Sequence, residues 1–365
     1  CLIKNQTPKT SRVFEVARTY RFKKGSGMPI SIPVIDMVEI GAGGGSLAHV
    51  DAMRQIRVGP ESAGSEPGPA CYGRGGEKPA VTDADLILGK LDPDNFAGGS
   101  IKLSKPESNK ALVTVLGDPL DMDAQTAAFG LAEVVDENMA NAARVHAVEN
   151  GEDLADYTMI AFGGAAPLHA GRLCEKLGVA RLLVPPGAGV GSAIGFLRAP
   201  FSFEANRSVY MKLSGFDAGV IKSLLTDLQS EAKGFVRTCD ASSEILSEFK
   251  VYMRYAGQGW EIPIVISEAQ AMAPDAATFQ RLFEEDYTKL FGRTVTGMDI
   301  EITVWAVNAT TPPEKVAAIK AAKAANAASP VGQRALFDAA LGHPVTANII
   351  QRGDMTTGQT VQGPA

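Results

Sequence analysis

The alternation of apolar and polar positions changes character several times along the chain, and each change predicts a different element. From Val13 to Phe22 the pattern is β-rich and partly alternating, and the run Lys23-Lys24-Gly25-Ser26-Gly27 reads as a turn. Ile30 to Ile40 is apolar and rich in β-branched residues, and it runs straight into Gly41-Ala42-Gly43-Gly44-Gly45-Ser46. A second strand is expected over Leu47 to Val50. Gly64 to Gly76 (GSEPGPACYGRGG) has no apolar period and reads as a loop. Thr82 then stands where a helix cap belongs. Asp85, three positions on, completes a capping-box-like pair ahead of Leu86-Ile87-Leu88.

The strongest helical period runs from Asp123 to about Asn150. Leu131, Val135, Met139, Ala142 and Val145 recur at three- and four-residue steps, and Gly151 supplies the stop. Next come an apolar strand over Tyr157 to Phe162, a Gly163-Gly164 turn, a helix from Pro167 to Leu177 ended by Gly178, and a strand over Ala180 to Val184. Strand, helix and strand with short joints mark a layered α/β domain. Pro185 to Gly195 is a small-residue loop leading into another helix. Around Ala205 to Gly215 the texture changes. Beyond it the pattern predicts a helix over Ile221 to Phe235, two strands around Gly257-Gln258-Gly259, a helix over Phe279 to Phe291 and a strand over Ile300 to Ala309. These form a separate α+β module. Lys315 to Ser329 is Ala/Lys-rich, with high helix propensity but little apolar face, and reads as a linker or exposed helix. Two domains are therefore expected, residues 1–205 and residues 206–365.

Composition narrows the class. A chain of 365 residues with 45% hydrophobic and 21% charged residues is long enough for two cores and ordinary for a globular protein. The net charge of −6 comes from interspersed signs and leaves no basic stripe for nucleic acid. The most apolar runs, Tyr157 to Gly164 and Ala180 to Pro186, fall far short of the roughly 20 residues that span a bilayer. Cys1, Cys71, Cys174 and Cys239 lack CxxC spacing, so reduced thiols in the cytoplasm are expected rather than disulfides or a zinc knuckle. His49, His146, His169 and His343 are far apart with no HxH or HxxE spacing, which argues against a histidine metal site. Cys1 to Lys4 reads as the end of a strand and the far end stops on Gly363-Pro364-Ala365, so the chain is expected to be a fragment at both ends.

Candidate chemistry lies in the glycine-rich turns. Two glycines directly after a buried strand let another group approach the backbone without a Cβ in the way. The helix that follows offers free amides and its positive end to the same space. Gly163 and Gly164, followed by Pro167, suit a nucleotide in this sense; the alternative is a tight strand-to-helix turn. Gly43, Gly44, Gly45 and Ser46 form a second loop whose amides could wrap an anion, or simply a turn between strands. Glu39 and Asp51 flank that loop as candidate base or metal-water ligand, with solvated turn residues as the alternative. Asp83 is a helix-start residue by default, with substrate or metal contact as the other reading. Cys71 has no neighbouring histidine in the sequence to activate it and reads as a buried small residue. His169 falls in the first turn of its helix, facing a nucleotide or packed as a cap. Trp260 packs on the second module's core or serves a subunit contact.

The pattern of apolar strand, Gly-Gly, two small residues, Pro167 and helix resembles the adenosine-contacting motif of the actin, sugar-kinase and heat-shock ATPase superfamily. Gly187 to Gly195, with Gly187 and Gly189, resembles its second connecting segment at the interdomain hinge. Read with Val38 to Asp51, Val58 to Leu91, Ala161 to Leu177, Pro185 to Leu197, Tyr255 to Gly259 and Gln351 to Ala365, the chain resembles the hydantoinase A/5-oxoprolinase family over nearly its whole length. The resemblance implies an incomplete actin/sugar-kinase-like α/β lobe followed by the α+β module. It also implies ATP and Mg²⁺ as cofactors, a cyclic amide as substrate and a hydantoinase B-type subunit as partner. Family members carry two Asp-x-Gly-Gly-Thr-x-Thr-Asp phosphate motifs, the second just before the position of Cys1. Both are missing from this sequence, so the chain alone should not hydrolyse ATP. The readings left open are a ketone carboxylase subunit and a non-catalytic nucleotide-binding scaffold.

Overall fold

The computed structural model describes residues 1–16, 26–314, 328–355 and 358–365, and divides the chain into two compact units. The first comprises Cys1–Ile194 and Ile319–Ala365, and the second Gly195–Ala318. Helices and strands are mixed in both, as expected for α/β and α+β folds.

The first unit opens with three antiparallel hairpins: β1 (Ile3–Lys4) with β2 (Thr7–Pro8), β3 (Thr10–Val16) with β4 (Met28–Ile35), and β5 (Ser46–Val50) with β6 (Ile56–Ser62). The strand expected to reach Ile40 ends at Ile35, and residues 17–25 of the first strand-and-turn reading lie outside the described residues. β6 is an additional strand with Gly59-Pro60 in its middle. Proline is tolerated there because, among the described residues, β6 pairs with β5 alone and has one edge without ladder bonds.

Helix α1 (Val81–Ile87) follows the long loop. Its cap differs from expectation: Ala80 is the N-cap residue, and Asp83 at the third helical position accepts the Ala80 N–H at 2.8 Å. Thr82 and Asp85 are thereby freed for tertiary contacts. Residues 105–120 carry α2 (Lys105–Leu112), a π turn and α3 (Asp118–Leu120). Ser104 caps α2 by accepting from Glu107 N, and Pro106 sits in its first turn. The long helix α4 (Ala124–Glu149) starts where expected, with Asp123 accepting from Thr126 N at 2.7 Å. Its buried stripe of Ala127, Ala128, Leu131, Ala132 and Val135 packs with Val81, Ala84, Leu88, Leu112 and Leu116 into one apolar cluster.

Strand β7 (Thr158–Ile160), helix α5 (Ala166–Leu177) and parallel strand β8 (Arg181–Leu183) form the expected crossover unit. Gly178 ends α5 in the left-handed conformation. Helix α6 (Gly191–Arg198) follows.

In the second unit β9 (Ser202–Arg207) and β10 (Met211–Lys212) both pair with β13 (Ile300–Thr310). β13 in turn pairs with β11 (Leu246–Tyr255), and β11 with β12 (Ile262–Ile266), all antiparallel. Helix α7 (Ala218–Cys239) presents Ile221, Leu225, Leu228, Ala232 and Val236 to the core, a regular three- and four-residue stripe. After the short α8 (Glu268–Met272), α9 (Ala276–Phe291) adds Phe279, Phe283 and Tyr287 beside Trp305 and Tyr255.

The last hairpin, β14 (Gly332–Asp338) with β15 (His343–Ile349), belongs to the first unit, where a single module over 206–365 was expected. Its docking is specific. Phe337 N donates to Leu88 O at 2.9 Å, and the Phe337 ring lies 5.0 Å from that of Phe129. Gly89 has φ +79°, and a Cβ there would lie 2.1 Å from Ala335 O, so only glycine lets the hairpin approach. Residues 315–327 of the Ala/Lys stretch lie outside the described residues.

Candidate functional site

Helix α1 organises the loop Gly41–Ser46. The Gly44 carbonyl accepts both the Thr82 N–H (2.9 Å) and the Thr82 hydroxyl (2.8 Å). Ser46 closes the loop on itself: its hydroxyl accepts from Gly43 N at 3.0 Å, and its own N–H donates to Gly43 O at 3.0 Å. These bonds use the carbonyls of Gly43 and Gly44. The Gly44 and Gly45 amides have no acceptor among the described residues. A Cβ on Gly44 would lie 2.8 Å from Thr82 Oγ1 and 3.9 Å from the Ala165 Cβ. The two glycine-rich turns of the sequence are therefore neighbours, brought together from positions about 120 residues apart.

The second turn keeps its backbone open. Gly163 has φ +112°, and a Cβ at Gly163 or Gly164 would meet no heavy atom within 4 Å. Gly163 N donates to Ala188 O at 2.7 Å, which ties the turn to the segment 187–190. Ala165, at the N-cap of α5, offers no side-chain acceptor, and Pro167 occupies the first turn, so the positive end of α5 is uncapped. The hinge-like segment is closer packed. A Cβ on Gly187 (φ +72°) would meet Ile194 Cδ1 at 2.6 Å, and one on Gly191 would meet the Phe162 ring, whereas Gly189 faces open space.

Directly below the α5 N-terminus lies a buried charge cluster whose members sequence spacing did not bring together. His169 Nδ1 is 2.7 Å from Asp136 Oδ1 of α4, and Nε2 is 3.1 Å from Asp85 Oδ2 of α1. Lys90 Nζ lies 3.0 Å from the other oxygen of Asp85. All three central residues are buried. Burial alone would depress the imidazole pKa, but the hydrogen bonds to Asp136 and Asp85 outweigh it and raise it to about 9. Burial likewise opposes ionisation of Asp85, and His169 and Lys90 override it to hold that carboxyl below the usual carboxylate range. Outside this cluster, Glu133 of α4 pairs with Arg172 and Lys176 of α5, fixing the two helices along their length. A pocket of about 210 Å³ is lined by Lys90, Leu168, Arg334 and Leu336, among others, and includes none of the glycine-loop residues.

The acidic candidates resolve differently. Asp83 is fully buried and saturated: it accepts from Ala70 N (3.1 Å), Cys71 N (2.7 Å), Ala80 N (2.8 Å) and Ser108 Oγ (2.7 Å). It anchors the Gly64–Gly76 loop, and that occupancy replaces the substrate or metal contact entertained for it. Asp51 caps the β5–β6 turn by accepting from Met53 N and Gln55 N and pairs with Arg57; the Gln55 amide and the guanidinium hold its carboxyl below the usual range. Glu39 is exposed on the irregular segment between β4 and β5. Cys71 is buried beside Asp83, and burial pushes its thiol far up, as fits an inert small residue. Trp260 is 73% exposed rather than packed on the core. Among the described residues no group of three or more His, Cys, Asp or Glu side chains is placed to hold a metal ion, and no helix is long and apolar enough to cross a membrane.

Residues 1–205 match the family described as hydantoinase/oxoprolinase. An uncharacterised protein of Methanocaldococcus jannaschii is 37% identical over 71% of this chain and 38% of its own length. The caprolactamase subunit alpha of Pseudomonas jessenii is 30% identical over 92% of this chain and 49% of its own. The nucleotide-free structure of an acetone carboxylase, described as ATP-dependent, superposes with a TM-score of 0.77 at 26% identity, over 93% of this chain and 50% of that one. The chain thus spans half or less of the length of these relatives.

Proposed function

Because the chain belongs to the hydantoinase/oxoprolinase family, we propose that it is part of an ATP-dependent subunit that opens cyclic amides such as 5-oxoproline, hydantoins or lactams. An unstrained amide is a poor electrophile. Phosphorylation of its carbonyl oxygen makes the ring carbon open to water, and such transfer depends on positioning and charge stabilisation. The observation that carries the reading is the approach of Gly44 to Ala165, which puts the unengaged Gly44 and Gly45 amides and the uncapped end of α5 at one corner. In this reading Gly163, Gly164 and Pro167 hold the adenosine side, and Gly43, Gly44, Gly45 and Ser46 face the phosphate or the amide. Gly187 and Gly189 belong to the hinge of an actin/sugar-kinase-like lobe, Gly187 as a packed point and Gly189 as an open one. Mg²⁺ would arrive with the phosphates, where one or two carboxylates and water suffice to complete its shell. Asp51, engaged in the turn at the far end of β5 from the glycine loop, and Glu39, exposed ahead of that loop, stay secondary candidates in this reading. A hydantoinase B-type subunit in the cytoplasm completes ring opening; the relative named as a subunit supports a multi-subunit assembly.

A second reading, a ketone carboxylase subunit using the same activation, is favoured by the acetone carboxylase superposition. ADP release from the full-length polypeptide with its partner distinguishes the readings. Stimulation by a lactam or hydantoin supports the first. Stimulation only by a ketone with bicarbonate supports the second. Turnover indifferent to all of them contradicts both and leaves a nucleotide-binding scaffold.

A further inference from the structure

The buried cluster under α5 has a property that follows from hydrogen-bond chemistry alone. An ionised carboxylate only accepts. Asp85 and Asp136 each place an oxygen within hydrogen-bond distance of a different ring nitrogen of His169, at 3.1 and 2.7 Å. For both contacts to be hydrogen bonds to carboxylates, both nitrogens must carry hydrogen. His169 is then an imidazolium, enclosed by two anions with Lys90 as the second cation, on side chains at most 17% exposed.

Where the cluster sits gives it a job. α1 carries Thr82 and Asp85 three residues apart, hence on one face. Thr82 holds the Gly44 carbonyl, and Asp85 holds His169. α4 grips the same imidazole from its other edge through Asp136. His169 is the fourth residue of α5, whose N-cap Ala165 is the residue facing Gly44. The spacing between the two glycine turns is thus referenced through one helix: Gly44 to Thr82, one turn of α1 to Asp85, then His169 and the start of α5.

We infer that His169 is a positioning residue, an imidazolium pinned between Asp85 and Asp136 that sets the start of α5 against the Gly43–Ser46 loop and so fixes the width of the corner between them. The inference rests on the nucleotide reading of that corner only for what the width governs. The groups facing the imidazole are Asp85 from α1, Lys90 from the turn that follows α1, and Asp136 from α4; the nearby Glu133, Arg172 and Lys176 are paired among themselves. A loss of the ring proton removes one of the two donors and leaves a buried carboxylate without its partner, so the clamp loosens as pH passes through about 9.

The test uses the full-length polypeptide with ¹³C/¹⁵N-labelled histidine. His169 should show two protonated ring nitrogens at pH 7.5 and titrate near pH 9. A neutral, single-tautomer ring at pH 7.5 overturns the inference whatever the protein binds. Affinity for a non-hydrolysable ATP analogue, measured from pH 7 to 10, should weaken roughly tenfold across the same titration. His169→Gln should bind weakly and without the pH step, while Asp136→Asn should shift that step to lower pH. Tight binding that ignores pH in the parent protein, or a pH step retained in His169→Gln, contradicts the positioning role. Should His169→Gln fail to fold, the parent titration and Asp136→Asn still decide. Absence of analogue binding at every pH, with the imidazolium confirmed, strikes the nucleotide reading instead.

Discussion

The two sheets that flank the middle of this chain are built on opposite terms. In the second unit an eleven-residue central strand, β13, is paired along both edges and covered by α7 and α9, and Trp305 on it is completely buried. In the first unit β7 and β8 are three residues each, pair only with one another among the described residues, and leave Ile160 and Leu183 about half exposed (47% and 51%). Parallel sheets are ordinarily covered on both faces. One sheet is finished by its own sequence; the other supplies a turn and a helix end whose value lies in what the backbone leaves free. Stability is concentrated in the first kind of region and candidate chemistry in the second.

Substitutions can break that division. The largest expected effect is Trp305→Ala, which empties the centre of the aromatic cluster and should cost about 3–5 kcal/mol in denaturant unfolding; Leu183→Ser, at the exposed sheet, should stay within about 0.5 kcal/mol in this chain. Equal losses would erase the contrast. Asp83→Ala should follow at about 3 kcal/mol, since it leaves three buried amides and the Ser108 hydroxyl without their acceptor. Limited proteolysis should then cut first within Gly64–Gly76, and an unchanged cleavage pattern would contradict the anchor role.

Two smaller effects sharpen the comparison. Gly187→Ala forces a left-handed alanine against Ile194 and should cost about 1–2 kcal/mol. Gly164→Ala meets no neighbour, so its unfolding should be unchanged within about 0.5 kcal/mol while nucleotide affinity falls, because the methyl enters the space left open. The pH dependence of unfolding carries a defined sign. His169 is raised from 6.5 to about 9 in the folded chain, so its stabilisation is complete below 6.5 and is lost as pH rises through about 9. Asp85 is lowered, so its share is present above the ordinary carboxylate range and is lost on acidification through its folded value. Removing His169 should flatten the alkaline limb of the unfolding curve, and a limb that persists in His169→Gln would assign it to another group.

Elements with strong periods were legible from the residues alone. α4, α5, α7 and the strands β11, β12 and β13 show their stripes openly, because each buries one face against a core, whereas β9 and β10 fall where the sequence shows only a change of texture. The Gly44–Ala165 approach was not legible, since it depends on where a helix between the two turns is anchored. Neither was the role of Asp85. Its spacing from Thr82 imitates a capping box, but Ala80 is the N-cap and Asp83 does the capping, so the two buried residues bond to other partners. His169 alone offered a signal, as a histidine in the first turn of a helix behind a glycine pair; its two aspartates lie 33 and 84 residues away, beyond any local pattern. The return of β14 and β15 to the first unit was hidden by the intervening α+β module, although Gly89, which has room for no side chain, marks the docking point.

The central claim is that the two glycine turns make one nucleotide corner. A crystal structure of the full-length polypeptide with a non-hydrolysable ATP analogue tests it most directly. The expected result is a nucleotide against Gly163 to Ala165 with its phosphates directed toward the Gly43–Ser46 amides. An ordered nucleotide bound elsewhere, touching neither turn, would contradict it.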